Sequence, residues 1–287
     1  MNKISHLSTA EQEFLQSYLP QAPANATTRA TKNEASPEKN LDKGSSRRPF
    51  VTLTYACSLD SMISLGPGLR TSLSGPQTKS MTHFLRLHHD AILVGVGTAV
   101  ADNPSLTCRY PGVAFESQPQ PVVLDPHLRW DVANASVRQL AIDGKGKMLW
   151  HLHNEPDTSS AASMPGCERI PIRHEHEPST VADVPSVTPG ASGRLDWSRI
   201  LRILGDKGIE SVMIEGGATI INDLLSRPDL VDSVIITIAP TFLGEGGVVV
   251  SPKPRTEDGS RVNAASLNLP VWRTFGQDIV LCSKLSP

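Results

Sequence analysis

From Phe50 onward, short apolar runs alternate with segments whose apolar residues recur at helical spacing. "RPFVTLTYACSLD" places Phe50, Val51, Leu53 and Tyr55 in a first strand. A helix is expected from about Pro76 to His89, with Met81, Phe84, Leu85 and His88 on one face. "AILVG", "QPVVLD" (120–125) and "KMLWHL" (147–152) read as three buried strands. "DWSRILRILGDKG" reads as a helix ending near Gly205 or Gly208, followed by a strand in "IESVMIEGG". "ATIINDLLS" is a further helix, and "LVDSVIITIAP" and "FGQDIVLCSKL" are further strands. Strands alternating with helices predict an α/β fold with a mostly parallel central sheet flanked by helices.

Two stretches break this rhythm. Residues 20–48 are polar, interrupted by proline and almost free of large apolar groups, as a linker would be. Ahead of them, "STAEQEFLQSYL" (8–19) offers a Ser or Thr cap and places Phe14, Leu15, Tyr18 and Leu19 at helical spacing. That helix could dock on the main body or on a partner subunit. Residues 153–193 are rich in Pro, Ser, Glu and His and read as a surface insertion. The expected organisation is therefore an N-terminal helix and linker over 1–48, and a main domain over 49–287 carrying that insertion.

Bulk properties narrow the partners. A chain of 287 residues buries a full core, and a net charge of −2 gives no field for nucleic acid or an anionic membrane. There is no apolar run long enough to cross a bilayer, and the N-terminus lacks the apolar stretch of a secretory signal. Cys57, Cys108, Cys167 and Cys282 are scattered without metal-binding or disulfide spacing. A cytoplasmic protein is expected. "RHEHEP" (173–178) has metal-ligating residue types but no second ligand cluster, so no metal is expected.

In open α/β sheets, ligands bind beyond the carboxyl ends of the strands. "SLDS", "GVGTAVADNP", "LDPH" and "EGGATI" all follow predicted strands. "GVGTAV" has Val100 where a dinucleotide fingerprint needs its third glycine, and no Gly-Lys-Ser/Thr triplet exists. Glycines 95 and 97 therefore permit close backbone approach, or form a tight turn, without specifying either phosphate cradle. "EGGATIINDLL" is more informative, because two glycines opening a helix leave backbone N–H groups facing whatever lies there. Glu215 would repel a phosphate at that point, so it either faces a sugar hydroxyl or caps the helix. Arg86 and Arg109 could each clamp a phosphate, or be ordinary surface charges. His88 and His89 read as packing or capping residues, and Lys145, Lys147, His151 and Arg173 as solvated charges.

Taken in order, "VTLTYACSLDSMIS", "HFLRLHHDAILVGVGTAVADNPSLTCR", "QPVVLD", "SVMIEGGATIINDLL" and "VDSVIITIAPTFLGEGG" resemble the riboflavin-biosynthesis reductase family. The resemblance covers roughly residues 50–150 and 195–285. It implies a dihydrofolate-reductase-like fold, NADPH as cofactor, a homodimer and a phosphorylated ribosylamino-pyrimidinone substrate. The implied reaction moves hydride to C1′ of the ribosylamino group and yields the ribitylamino phosphate. With no Pro-Cys-x-x-Cys, the zinc deaminase fused to bacterial members is not expected. By the same resemblance, Thr98, Asp102, Leu195 and the run Gly217, Ala218, Thr219, Ile220, Ile221 and Asn222 meet the cofactor. Arg86, Leu106, Arg109 and Glu215 meet the substrate, and Asp60 lies near the site. Asp60, Glu215 or water is the expected proton donor, with Glu215 chiefly positioning. Two departures stand out: Ser61 replaces the family's glycine in "SLDG", and "RTSLSG" (70–75) replaces a bacterial contact loop. Two rivals remain at this stage, a pterin reductase of the same fold and a non-catalytic NADPH-sensing module.

Overall fold

A computed structural model describes residues 4–21, 48–154, 164–172 and 195–286. Six helices occur among them: α1 (Thr9–Gln16), α2 (Pro76–Leu87), α3 (Val96–Asp102), α4 (Ser136–Ile142), α5 (Trp197–Asp206) and α6 (Ala218–Leu225). The principal strands are β1 (Phe50–Cys57), β3 (Ala91–Gly95), β4 (Gln120–Leu124), β5 (Leu149–Asn154), β6 (Cys167–Ile172), β7 (Ser211–Gly216), β8 (Ser233–Ile238), β12 (Leu267–Phe275) and β13 (Asp278–Leu285). They form one nine-stranded sheet in the order β12-β13-β8-β1-β7-β3-β4-β5-β6. From β8 to β6 every neighbour is parallel, while β13 runs antiparallel to both β8 and β12. Short β2 (Met62–Ser64) pairs with β9 (Val248–Val249), and β10 (Arg255–Glu257) pairs with β11 (Ser260–Val262). The predicted α/β class with a mostly parallel, helix-flanked sheet is what the chain adopts.

The strand pleat divides the core between the two faces. On one face, Val51, Leu53, Val212 and Ile214 pack against Trp197, Ile200 and Leu204 of α5 and Ile220 and Leu224 of α6. On the other, Met213 and Ile235 pack with Met81, Phe84 and Leu85 of α2 and with Leu15 near the end of α1. Ile92, Val94 and Val123 meet Ala99 of α3 and Val137 of α4 on that same side. Because β3 and β4 are covered on both faces, they read as unbroken apolar runs rather than alternating ones.

α1 docks on the body of its own chain. Ser8 and Glu11 form a reciprocal capping box, and the Leu7 amide donates to the Tyr110 hydroxyl at 3.0 Å. Leu15 and Leu19 are fully buried. Residues 22–47, which hold nearly all of the predicted linker, lie outside the described residues, as does "RHEHEP".

Three expectations need correction. The segment 153–193 contains β6, a parallel edge strand on β5, although Pro171 and alternating polar groups conceal it. Residues 96–102 form a helix after the glycine turn, since partial exposure gave them no clear apolar stripe. His151 is no solvated charge: it is 1% exposed, with Nε2 3.3 Å from the buried Asp125 carboxylate.

We expect Leu15→Ala to cost about 2–5 kcal/mol in denaturant unfolding, the usual range for a buried leucine. A loss below about 0.5 kcal/mol would mean that α1 contributes nothing to the body of the fold.

Candidate active site

The four polar segments singled out from sequence follow β1, β3, β4 and β7, which are consecutive in the sheet as β1-β7-β3-β4. Parallel pairing puts their carboxyl ends along one edge. Topology thus gathers residues from 60 to 220 into one cleft region.

At the centre is Glu215. The β3–β7 register pairs Leu93 with Ile214 and then Val94 with Gly216, so Glu215 is an extra, unpaired residue in a bulge. Like Met213 two positions earlier, it points toward the α2 side. There Arg86 donates to both of its carboxylate oxygens, Nε to Oε1 and Nη2 to Oε2, each at 2.7 Å. Arg86 Nη1 donates to the Thr107 carbonyl at 2.8 Å, which ties the loop after α3 into the same joint. Both side chains are largely covered, with 12% and 17% exposed. Burial opposes the charge on Arg86, but the Glu215 charge and hydrogen bonds outweigh it and raise the guanidinium pKa. Arg86 is therefore not a lone surface charge, and Glu215 does not cap α6, whose start has no side-chain cap.

Gly217 precedes α6 with φ 92°, after Gly216 at φ 112°. A Cβ on Gly216 would fall 2.8 Å from Ile221 Cδ1, and one on Gly217 would fall 3.4 Å from Thr98 Oγ1. The first helical hydrogen bond runs from the Ile221 amide to the Gly217 carbonyl at 3.0 Å. The amides of Ala218, Thr219 and Ile220 thus stand ahead of the helical ladder, where an anion is favoured. Thr98, on the partly exposed side of α3, borders them. Asn222 adds a buried Oδ1 with no hydrogen-bond partner. A cofactor diphosphate and ribose fit this donor set.

Several assigned residues are more constrained than the resemblance implied. Ile220 and Ile221 bury their side chains in the core, and the Ile221 amide is already bonded, so Ile221 offers a cofactor neither. Leu106 is also buried, at φ 48°, leaving its backbone to face the cleft. Leu195 packs on the core just before α5, and the Trp197 indole joins α5 to α6 through Asp223 at 2.7 Å. Asp102 ends α3, where burial raises its pKa against the opposing charge of Arg70. Asn103, in the left-handed region at φ 42°, terminates that helix and accepts the Ser136 amide at 2.8 Å.

Asp60 needs a firmer correction. Its carboxylate accepts from Ser58 Oγ and from the backbone amides of Leu243 at 3.1 Å and Gly244 at 2.8 Å. The Ser58 bond first, then the Gly244 amide, lowers its pKa to about 2. At neutral pH it has no proton to donate. It anchors the loop after β8. Ser61 beside it sits at φ 61°, a backbone shape that accounts for the glycine common in the family.

His83, which sequence reasoning overlooked, is buried on α2 and touches Arg109. Its Nδ1 faces the Arg109 amide at 3.0 Å and its Nε2 faces the guanidinium Nη2 at 3.1 Å. Its helical offset of three from Arg86 was the available signal. His89 joins α2 to β1 through Thr52 at 2.7 Å, a packing role as expected. All four cysteines are free and buried, and no group of three metal-ligating side chains occurs among the described residues.

A model of the RibD C-terminal domain matches residues 49–281. This chain belongs to that family. It is 38% identical over 275 residues to the 2,5-diamino-6-ribosylamino-4(3H)-pyrimidinone 5′-phosphate reductase of Saccharomyces cerevisiae, spanning 96% of this chain and 95% of that one. The reductase of the same name from Debaryomyces hansenii is 40% identical over 250 residues, or 87% and 94% of the two chains. The solved Saccharomyces cerevisiae riboflavin biosynthesis reductase covers 96% of this chain and 99% of its own at TM-score 0.65 and 34% identity. RibD from Acinetobacter baumannii, at 20% identity and TM-score 0.61, shares the fold. As a member of the family with these relatives, the chain is an oxidoreductase.

Asp60→Ala should speed hydrogen exchange at the Leu243 and Gly244 amides by about tenfold or more, as expected for a lost charge-assisted bond. The folded pKa lies below the ordinary 3.8, so the anchorage is complete above about pH 4 and is lost as pH falls through about 2. Unchanged exchange in the variant would refute the anchoring role.

Proposed function

We propose that this chain uses NADPH to reduce 2,5-diamino-6-ribosylamino-4(3H)-pyrimidinone 5′-phosphate to its ribitylamino form, a step of riboflavin biosynthesis. The observation that carries this reading is the abutment of two unlike subsites at the end of β7. A carboxylate gripped by a guanidinium stands two residues before an uncapped, glycine-opened helix start. The printed activity of the relatives supports the same reaction.

On this reading, the amides of Ala218, Thr219 and Ile220 receive the cofactor diphosphate, with Thr98 and Asn222 supplying polar side-chain contacts. The reduced nicotinamide supplies the hydride that C1′ accepts. Glu215, immobilised by Arg86, keeps free lone pairs on its oxygens and accepts hydrogen bonds from the sugar hydroxyls. Arg109, an exposed arginine on the neighbouring loop, receives the phosphate. The pair of guanidiniums suits a phosphorylated sugar better than an unphosphorylated pterin. Reduction at C1′ also requires one proton on the sugar oxygen or the substrate nitrogen. Asp60 is ionised and Glu215 has both oxygens engaged by Arg86, so water is the donor. The protein's contribution is then chiefly orientation, which is large for a transfer between two bound molecules.

The chain further acts, in this reading, as a cytoplasmic homodimer. No helix among the described residues is long and apolar enough to cross a membrane. The edge strand β12 presents Leu269, Val271 and Trp272 to solvent, with 82%, 40% and 56% exposed, which supports an apolar contact between copies.

Loss of NADPH absorbance on adding the ribosylamino-pyrimidinone phosphate, and little loss with NADH, is the expected result. Absence of oxidation with either cofactor would refute the reaction. Glu215→Gln should lower kcat by about 100-fold, the scale of a misplaced reacting group, while the dissociation constant for NADPH holds. Unchanged turnover at saturating substrate would remove Glu215 from the site.

A further inference from the structure

Hydrogen-bond donors and acceptors do not balance around His83. The ring is 4% exposed, on α2 three residues before Arg86. The Arg109 amide can only donate, and it points at Nδ1 from 3.0 Å. A neutral imidazole has one N–H and one accepting nitrogen, so accepting at Nδ1 places the proton on Nε2. Nε2 then faces Nε and Nη2 of Arg109 at 3.3 and 3.1 Å, and a guanidinium has no acceptor. The other tautomer moves the conflict to Nδ1 without removing it. Protonating the ring does not help either, because burial first, then the charges of Arg86 and Arg109, lowers its pKa to about 3. Two donors meet with nothing between them to accept.

Nearby acceptors are committed. Both Glu215 oxygens serve Arg86, Gln118 Oε1 takes the Cys108 amide at 2.8 Å, and the His83 carbonyl takes Cys108 Sγ. Among the described residues, no carboxylate forms an ion pair with Arg109. An oxyanion at this point would accept from Nε2–H and from the guanidinium together, and its charge would offset two neighbouring arginines.

We propose that His83 is a phosphate-binding residue: its Nε2–H and the Arg109 guanidinium donate to the same phosphate monoester oxygen of the substrate. In the absence of substrate, the neutral ring also holds the Arg109 backbone in place through Nδ1. The inference rests on the reading above that Arg109 receives the substrate phosphate. It adds a buried, uncharged donor that reads the oxyanion where an arginine alone would be a mobile charge.

The test compares wild type, His83→Ala, His83→Gln and Arg109→Ala with the phosphorylated substrate and with the same compound after phosphatase treatment. A hydrogen bond to a charged group accounts for about tenfold or more in affinity. His83→Ala should therefore lower the kcat/KM preference for the phosphorylated compound by about tenfold, with the loss in KM. His83→Gln, which can accept from the Arg109 amide and still donate, should recover most of it. In the full chain labelled with 15N-histidine, inorganic phosphate should shift one ring resonance that His83→Gln lacks. If Arg109→Ala removes the preference and His83→Ala does not, the His83 proposal fails alone. If neither variant changes it, the phosphate reading of Arg109 fails as well. An equal loss toward both compounds in His83→Ala would mark a purely structural role and overturn the proposal.

Discussion

The bidentate contact between Arg86 and Glu215 is the joint on which the site depends. It bridges residues 129 positions apart and binds the C-terminal turn of α2 to the end of β7. Neither charge would be tolerated so far from water without the other, because removing one partner strands a covered charge. The β7 bulge frees Glu215 for this contact, and the third bond, to the Thr107 carbonyl, sets the loop that carries Leu106 and Arg109. Two residues beyond Glu215, the chain turns through glycines into α6. The substrate side and the cofactor side therefore share one short length of backbone, and a shift in one is felt in the other.

Around this joint the electrostatics are arranged by shielding rather than by net charge. Burial and two arginines keep His83 neutral. Asp60 is kept ionised, and its charge is spent on the Leu243 and Gly244 amides. Burial likewise holds the His89 pKa near 4, so the neutral ring serves as a strut between α2 and β1. What is left facing the cleft is mainly donors: the amides at the start of α6, the guanidinium of Arg109 and the Nε2–H of His83. A region so rich in donors is matched to anionic ligands at both ends, even though the protein as a whole carries a net charge of only −2.

Much of the fold was legible because it follows from local regularities. β1, β3, β4, β7 and β8 are apolar runs whose covering on two faces demands such a composition, and α2, α5 and α6 carry an apolar stripe. β6 and β12 were missed because edge strands bury little, so their residues need not be apolar. α3 was missed because two glycines and an exposed valine, Val100, blur its pattern.

For the site, the sequence by itself determined which residue types are present and that four polar segments follow strands, since a strand must end before a loop can carry chemistry. The motif order also identified the family. Only the tertiary structure decided the pairings. Arg86 with Glu215, Asp60 with the loop after β8, and His83 with Arg109 are contacts between elements distant in the chain. Local propensity carries no information about such distances. They arise when a parallel sheet brings β1, β7, β3 and β4 side by side and α2 packs across that sheet. It was packing that turned a suspected acid, Asp60, into an anchor and a suspected lone clamp, Arg86, into half of an ion pair.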